Sequence, residues 1–330
     1  MSFLAVLLAL LVEQLKPLPR DNPVHHMLVA WVAWTGRSFD AGGARHAWIV
    51  WGIGVLAPAL LTALAWVVLR QYTLLGALAM NVVLLYLTLG FRQFSHFYTR
   101  IRDALAEGDE SRARAILTEW RHLDASALPR AELLRHVIEH ALLAAHRHVF
   151  GVFFWFVVLA ALGLGPLGAV LYRMAEFASR YWGYRSRALD APANPALLRA
   201  AQRAFEVIDH VPARLTAFGF AVVGNFEEAV AGWRRDAALW AHPNEGVILA
   251  AAAGAVGVQL GGVAAPGVTP DRSKTFTSGL ETDRAEARGS TTGVPPQLAH
   301  LQSIVALVWR SVVLWMLLLV RRYDPPQKNS

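Results

Sequence analysis

The sequence predicts an all-α integral membrane protein with about four or five transmembrane helices, a re-entrant helical hairpin and cytoplasmic amphipathic helices. Of its 330 residues, 55% are hydrophobic and 17% are charged, and the mean hydropathy is +0.37, which is too apolar for an ordinary soluble domain. Several apolar stretches approach the roughly 20 residues that a helix needs to cross about 30 Å of hydrocarbon. The chain has no cysteine, which excludes disulfides, thiolate nucleophiles and zinc-thiolate sites.

Four apolar stretches are predicted spans. The first has no charged residue and the fourth has only Arg310, which lies near its middle. Two weaker segments are an N-terminal stretch that should continue past Glu13 as a short helix, and a stretch rich in alanine and glycine. The four spans are residues 47–69, 73–90, 149–172 and 301–320, and the weaker segments are 3–12 and 246–263.

The basic residues set the expected orientation, because loops rich in lysine and arginine stay in the cytoplasm. Segment 14–46 carries four such residues and segment 91–148 carries nine. These segments flank the hairpin formed by the first two spans. We therefore expect both of them on the cytoplasmic side, with Arg70 and Gln71 at the outer turn.

Segment 173–244 also carries nine basic residues, and a single span over 149–172 would place it outside. A run of glycine and proline breaks the middle of that stretch, so two half-helices could enter the membrane and return. Such a re-entrant hairpin needs its freed backbone groups buried in protein or facing a cavity. One kinked span is the alternative. The breaking residues are Gly163, Gly165, Pro166 and Gly168.

The chain is expected to have three parts: a membrane-embedded domain over 1–263, a flexible polar loop over 264–300, and a transmembrane helix with a basic tail over 301–330. The loop is rich in glycine, proline, serine and threonine. The expected location is the bacterial inner membrane, in a multi-pass arrangement. The lipid bilayer is the expected partner and nucleic acid is not, because the arginines adjoin apolar segments. Whether the chain forms a homo-oligomer is left open.

Two helix starts carry recognisable capping residues. Asp109 can cap a helix that runs through Glu119. Asn194 followed by Pro195 is typical of an N-cap and a first helical residue, and it predicts a helix to about His210.

The segment His136-Val-Ile-Glu139-His140 matches the H-x-x-E-H pattern of some zinc metalloproteases. On a helix this spacing places two imidazoles one turn apart beside a carboxylate. A third ligand has no clear source beyond His146, His148 or a distant carboxylate. We therefore expect no metal site, and we interpret the segment as a helix end near the lipid headgroups.

Charged residues within apolar stretches are costly and are often functional, which singles out Glu13 and Arg310. The two could pair with each other. Alternatively, both side chains could extend to an interface, which is easier for Glu13 near a helix end.

The stretch from Val207 to Ala217 carries the most information. Its Pro212 is expected to interrupt a helix and free carbonyl groups, while Arg214 offers a planar fork suited to phosphate or carboxylate. A structural salt bridge between Asp209 and Arg214 is the alternative interpretation.

Four parts of the sequence match a known family pattern: Asn22-Pro23-Val24, Ala104 to Asp109 with Ala113-Arg114, Phe153-Phe-Trp155, and Pro212-Ala-Arg214-Leu-Thr-Ala217. They resemble the CobD/CbiB family, which includes the cobinamide-forming enzymes of cobalamin biosynthesis and the AmpE inner-membrane proteins. The resemblance runs to about Trp233. For the cobalamin enzymes it implies ATP-dependent amide ligation of aminopropanol to a corrinoid carboxylate at the membrane.

The sequence departs from the enzymes where their stretch E-S-V-A-E-N-x-x-D is expected. When the enzymes' stretch is aligned back from Trp155 without gaps, only its first glutamate is retained, as Glu139. The other acidic and amide positions hold Leu143, Ala144 and Arg147. The N-T-x-D-S-M stretch has become Glu176-Phe-Ala-Ser-Arg180-Tyr. Little would then remain to hold Mg-ATP or to orient an amine.

The departures favour the AmpE branch, which is similar around 148–155, 180–182 and 207–233 and is linked to β-lactamase induction. We therefore predict a signalling or accessory protein with a degenerate amide-ligase site and no cofactor. The alternative is an active cobinamide synthase that uses Mg-ATP and a corrinoid, and solute transport is a third hypothesis. The expected ligand pocket consists of Glu139, Arg147, Asp209 and Arg214.

Overall fold

The computed structural model describes residues 2–16, 23–121, 124–186, 193–262 and 289–321. Within them the chain folds into α-helices, interrupted by two π turns and one 3-10 turn. The helices are α1 Ser2–Leu15, α2 Pro23–Phe39, α3 Ala44–Trp51, α4 Ala57–Tyr72, α5 Leu74–Thr88, α6 Phe91–Ala106, α7 Glu110–Arg121, α8 Arg130–Ala145, α9 Gly151–Ala161, α10 Leu167–Ser186, α11 Pro195–Val223, α12 Phe226–Asp236, α13 Pro243–Val256 and α14 Leu298–Arg321.

Three described helical segments are long and apolar enough to cross a membrane: Ala44–Tyr72, Arg130–Ala161 and Leu298–Val320. The all-α class and the membrane character are therefore confirmed. The first and last segments contain the predicted spans 47–69 and 301–320. The predicted span 73–90 forms α5, whose 15 residues rise about 22 Å and fall short of the hydrocarbon thickness. The N-terminal segment forms α1, which continues past Glu13 as expected.

Burial separates lipid-facing helices from interior ones. Helices α4 and α14 expose rows of apolar side chains, including Leu60, Leu64, Val313 and Leu317. Helix α13, by contrast, is buried along most of its length and packs against α11 and α12. The weak apolar segment 246–263 is therefore an interior helix of the fold.

The apolar stretch 149–172 is not one helix. Helix α9 continues α8 through a π turn, His146–Phe150, so the helix that contains the first half begins at Arg130. It ends at Ala161, and α10 starts at Leu167 and packs back against α9. The break at the glycine and proline run is confirmed. Gly163 and Gly165 have φ of +79° and +56°, which favours glycine at both positions.

The expectation that a helix ends near His210 was wrong, because α11 continues through Pro212 to Val223. A proline inside a helix deprives the carbonyl four residues earlier of its donor. That carbonyl belongs to Ile208, and the indole of Trp155 donates a hydrogen bond to it at 3.0 Å. Helix α9 thus replaces the bond that Pro212 cannot make.

Both predicted N-caps are confirmed. The Asn194 side chain accepts a hydrogen bond from the backbone N–H of Ala196 at 2.9 Å. Asp109 Oδ1 accepts one from the backbone N–H of Arg112, also at 2.9 Å. Each bond satisfies a first-turn donor that has no partner inside its own helix.

Much of the predicted loop 264–300 lies outside the described residues, as does the predicted tail beyond Arg321. Its described part is held against the end of α13 by two isolated β-bridges, Val258 with Val294 and Gly261 with Ser290. Helix α14 then begins at Leu298.

Candidate functional site

A cavity of about 170 Å³ lies where the π turn, α10 and α11 meet the N-terminal end of α13. Its wall combines acidic, basic and amide side chains. The lining residues are Arg147, Ser179, Gln202, Phe205, Glu206, Asp209, Ala241, His242, Pro243, Asn244 and Glu245.

The π turn supplies the basic residue of the cavity. Arg147 donates to Glu245 Oε1 at 2.5 Å, and the side chains of Arg147 and Glu245 are only 8% and 13% exposed. Glu245 lies in the first turn of α13, where a carboxylate interacts favourably with the helix dipole. The ion pair therefore connects the middle of the long α8–α9 helix to the start of α13.

Behind this pair lies a buried polar network centred on Asp209. Its Oδ1 accepts hydrogen bonds from the Tyr172 hydroxyl and from His146 Nε2, each at 2.8 Å. His146 Nδ1 lies 2.9 Å from the Thr216 hydroxyl. A proton on Nε2 satisfies both ring contacts, because Nδ1 then accepts from Thr216. The network fixes the orientation of the Asp209 carboxylate at the cavity wall.

Arg214 lies next to the cavity and does not line it. It donates to Asn244 Oδ1 at 3.1 Å and to the carbonyl of His210 at 2.8 Å. Asn244 in turn donates to the Glu206 carbonyl at 2.9 Å. The alternative salt bridge between Asp209 and Arg214 is not the arrangement found among the described residues, since each makes its hydrogen bonds elsewhere.

Glu139 lies two turns before Arg147 on the same long helix, away from the cavity lining. Its Oε1 accepts from the backbone N–H of Gly261 at 2.7 Å, while Arg135 donates to the carbonyl of Gly261 at 2.6 Å. These two hydrogen bonds fix the backbone of the segment that follows α13 against α8. Of the predicted pocket, Arg147 and Asp209 line the cavity, Arg214 supports its wall and Glu139 contacts another segment.

The H-x-x-E-H residues make contacts other than metal ligation. His136 Nδ1 lies 3.0 Å from Arg121 Nη1, and the ring of His140 packs edge-on against Trp120 with centroids 4.4 Å apart. In the parts of the chain that the structure describes, no three His, Asp or Glu side chains come together as a metal site.

The two charged residues in apolar helices differ in burial. Glu13 is 4% exposed and therefore faces the protein interior. Arg310 lies on the exposed side of α14 beside Trp309 and Val313.

Sequence reasoning missed several residues of the site. The sequence suggested His146 only as a zinc ligand, and Ser179 and Thr216 only as members of the stretches compared with the family. It did not suggest Tyr172 or Glu245 as site residues. The available signal was polar residues within apolar helical stretches, since such groups need buried partners. The sequence does not indicate which distant residues supply those partners.

Comparison with known proteins identifies the family. Residues 3–287 match the CobD/Cbib protein family. The chain belongs to this family. It is 34% identical over 326 residues to a cobalamin biosynthesis protein CobD from Stutzerimonas stutzeri, covering 96% of this chain and 97% of that protein. No solved structure matches the chain significantly.

Other relatives carry the same description. The CobD protein of Chromobacterium violaceum is 37% identical over 229 residues, covering 67% of this chain and 69% of that protein. That of Mycobacterium tuberculosis is 31% identical over 240 residues, covering 69% of each.

The prediction of an AmpE-like signalling protein was therefore wrong, and so was its link to β-lactamase regulation. The relatives are named for cobalamin biosynthesis. The prediction depended on counting back from Trp155 without gaps. The departures in that stretch hold in any register, because segment 130–155 contains no asparagine or aspartate. They are outweighed by the family match over residues 3–287.

Proposed function

We propose that this CobD/CbiB family member is an amide-forming enzyme of cobalamin biosynthesis, which joins an aminopropanol unit to a carboxylate of a corrinoid. The observation that supports the proposal most strongly is the 34% identity, over nearly the full length, to a cobalamin biosynthesis protein CobD. The cavity beside Asp209 adds a buried, charged site of the kind that could orient a small polar substrate.

Forming an amide from a carboxylate in water needs an activating co-substrate, and the family resemblance implies ATP. One carboxylate oxygen leaves with the transferred phosphoryl group, and the amine nitrogen replaces it and loses a proton. At about 170 Å³ the cavity is smaller than the roughly 300 Å³ at which pockets begin to hold drug-sized ligands. It fits neither a nucleotide nor a corrinoid ring, so we assign it no step that involves them. Both count as substrates in this proposal, with no resident cofactor.

A deletion strain tests the function. Removing the gene from a host that makes cobalamin by this route is expected to abolish cobalamin production, and the intact gene should restore it. Adding a preformed amide product, cobinamide, should also restore it, because the missing step is then bypassed. An unchanged cobalamin yield in the deletion strain would rule out the proposal.

The proposed topology places the chain as a multi-pass protein in the bacterial inner membrane, with the turn between α9 and α10 as a re-entrant tip. In this arrangement Ala44–Tyr72 and Leu298–Val320 cross the membrane, and Arg130–Ala161 is the entering arm of the re-entrant hairpin. The shorter α1 and α5 are proposed to cross where the bilayer thins around them, which gives about four of the expected four or five crossings. The three-part organisation 1–263, 264–300 and 301–330 belongs to the same proposal. The bilayer is the proposed partner and nucleic acid is not, and a homo-oligomer is compatible with it.

Because the native chain lacks cysteine, single-cysteine labelling tests the re-entrant tip directly. Arg199→Cys lies on α11 after the hairpin, and Gln71→Cys lies at the predicted outer turn. A membrane-impermeant maleimide applied to spheroplasts should label Gln71→Cys and leave Arg199→Cys unlabelled until the membrane is opened. Labelling of Arg199→Cys in sealed spheroplasts would mean that the stretch crosses the membrane once.

A further inference from the structure

One oxygen of the Asp209 carboxylate is hydrogen-bonded within the protein, and the other is available to a ligand in the cavity. Its Oδ1 accepts from both Tyr172 and His146. Within the described residues, Oδ2 accepts no hydrogen bond, although the side chain is only 6% exposed and lines the cavity. Oδ2 is not one of the fully buried atoms that lack a partner, so it is open to the cavity, where a ligand can donate to it.

A second buried polar group lines the same cavity. Ser179 is 5% exposed, and its hydroxyl has no hydrogen-bond partner in the part of the chain that the structure describes. Its oxygen is also not among the fully buried atoms that lack a partner, so it too is open to the cavity. Ser179 and Asp209 come from different helices, α10 and α11, so two separate elements present an available polar group to the same cavity.

The charges of the lining favour a cation. Glu206, Asp209 and Glu245 line the cavity with one guanidinium, that of Arg147, which is paired with Glu245 at 2.5 Å. Behind the wall, Arg214 interacts electrostatically with Asp209. Arg203 contacts Glu206 at 3.3 Å, but their side chains are 70% and 40% exposed, and such surface pairs contribute little. Three carboxylates and two buried or partly buried guanidinium groups, those of Arg147 and Arg214, therefore leave an excess of negative charge that can attract a positive group.

From these observations we infer that the cavity binds the primary ammonium group of a small amino alcohol, with Asp209 Oδ2 as the main acceptor and Ser179 as a second polar contact. The cavity size supports a ligand of a few heavy atoms. The inference rests on the proposed function, since such an amine is the nucleophile of the amide-forming step. It assigns that substrate a location and leaves the nucleotide and the corrinoid to other surfaces.

Two small molecules of nearly equal shape test the inference. The full chain, purified in detergent, is titrated by calorimetry at millimolar concentrations of 1-aminopropan-2-ol and, separately, of propane-1,2-diol, without corrinoid or nucleotide. The amine should bind at least tenfold more tightly than the diol, because only the amine carries the ammonium group. Equal binding of the two compounds, or no detectable binding of the amine, would overturn the inference.

Variants locate the binding. Asp209→Asn keeps the shape of the side chain and removes its charge, and it should weaken amine binding at least tenfold. Glu227→Gln removes an exposed carboxylate on α12, outside the cavity, and should leave binding unchanged. If Asp209→Asn fails to fold, Ser179→Ala and Glu206→Gln test the location of the amine instead. Each of them should weaken amine binding severalfold. Wild-type affinity in the folded variants would refute the location.

Failure of the inference can be distinguished from failure of the proposed function. If the chain forms the amide but Asp209→Asn binds the amine normally, the location is wrong and the function stands. If the amine binds through Asp209 but the deletion strain makes cobalamin normally, the binding site stands and the proposed function fails.

Discussion

Replacing Gly168 with alanine is expected to lower the free energy of unfolding by about 3 kcal/mol, since overpacking typically costs about 1–3 kcal/mol and sometimes more. A Cβ at this position would lie 1.9 Å from the carbonyl oxygen and 2.4 Å from the carbonyl carbon of Trp155. These are backbone atoms of α9, which cannot rotate away as a flexible side chain can. Helices α9 and α10 would have to separate. Thermal unfolding in detergent, followed by circular dichroism, measures the loss.

The same helix provides the control. A Cβ at Gly183 would find its nearest atom, Leu198 Cδ1, 3.9 Å away, which is an ordinary contact. Gly183→Ala should therefore keep the stability or raise it by up to about 1 kcal/mol, because alanine is the better helix former. Equal losses from the two substitutions would contradict the close packing of α9 on α10.

Replacing Trp155 with phenylalanine should cost about 1 kcal/mol, because a partly buried carbonyl acceptor loses its donor. The indole N–H is the group that bonds to the Ile208 carbonyl, and phenylalanine keeps an aromatic ring but has no donor. The midpoint of thermal unfolding in detergent reports the cost.

A second substitution separates the lost hydrogen bond from lost packing. Pro212→Ala supplies a backbone N–H that can bond to the Ile208 carbonyl inside α11. In the Pro212→Ala background, Trp155→Phe should therefore cost less than in the native chain, with a coupling energy of about 1 kcal/mol in the double-mutant cycle. If Trp155→Phe costs the same whichever residue occupies position 212, the indole does not compensate for the proline.

Features of the fold that depend on neighbouring residues could be predicted from the sequence. The caps at Asp109 and Asn194 need only a side chain and a backbone donor two or three residues later. The break between α9 and α10 follows from glycines that adopt positive φ, at Gly163 and Gly165. The long apolar segments follow from composition alone.

Features that depend on distant partners could not be predicted. The continuation of α11 through Pro212 needs Trp155, which is 53 residues from Ile208. The Asp209 network joins residues 63 and 70 positions apart, and the pair of Arg147 with Glu245 spans 98 positions. Asp209 could be singled out from the motif Val207 to Ala217, and Glu139 and Arg147 from the stretch compared with the cobalamin enzymes. The partner of Glu139, the backbone of Gly261, lies 122 positions away along the chain.

The function was mispredicted because one stretch was given more weight than the whole chain. Leu143, Ala144 and Arg147 stand where the enzymes' stretch has acidic and amide residues. No small shift of the alignment restores those residues, because segment 130–155 contains only Glu132 and Glu139 as acidic residues and no asparagine. Similarity over 326 residues to a cobalamin biosynthesis protein does not depend on any single helix.

The most direct test of the proposed function is amide formation by the purified protein. The detergent-solubilised chain is incubated with a corrinoid carboxylate, 1-aminopropan-2-ol or its phosphate ester, and Mg-ATP, and the corrinoid is analysed by mass spectrometry. The account predicts a product with the summed mass of corrinoid and amine less one water, formed only when ATP is present. An unchanged corrinoid mass with every amine form, from protein whose circular dichroism shows it to be folded, would contradict the account.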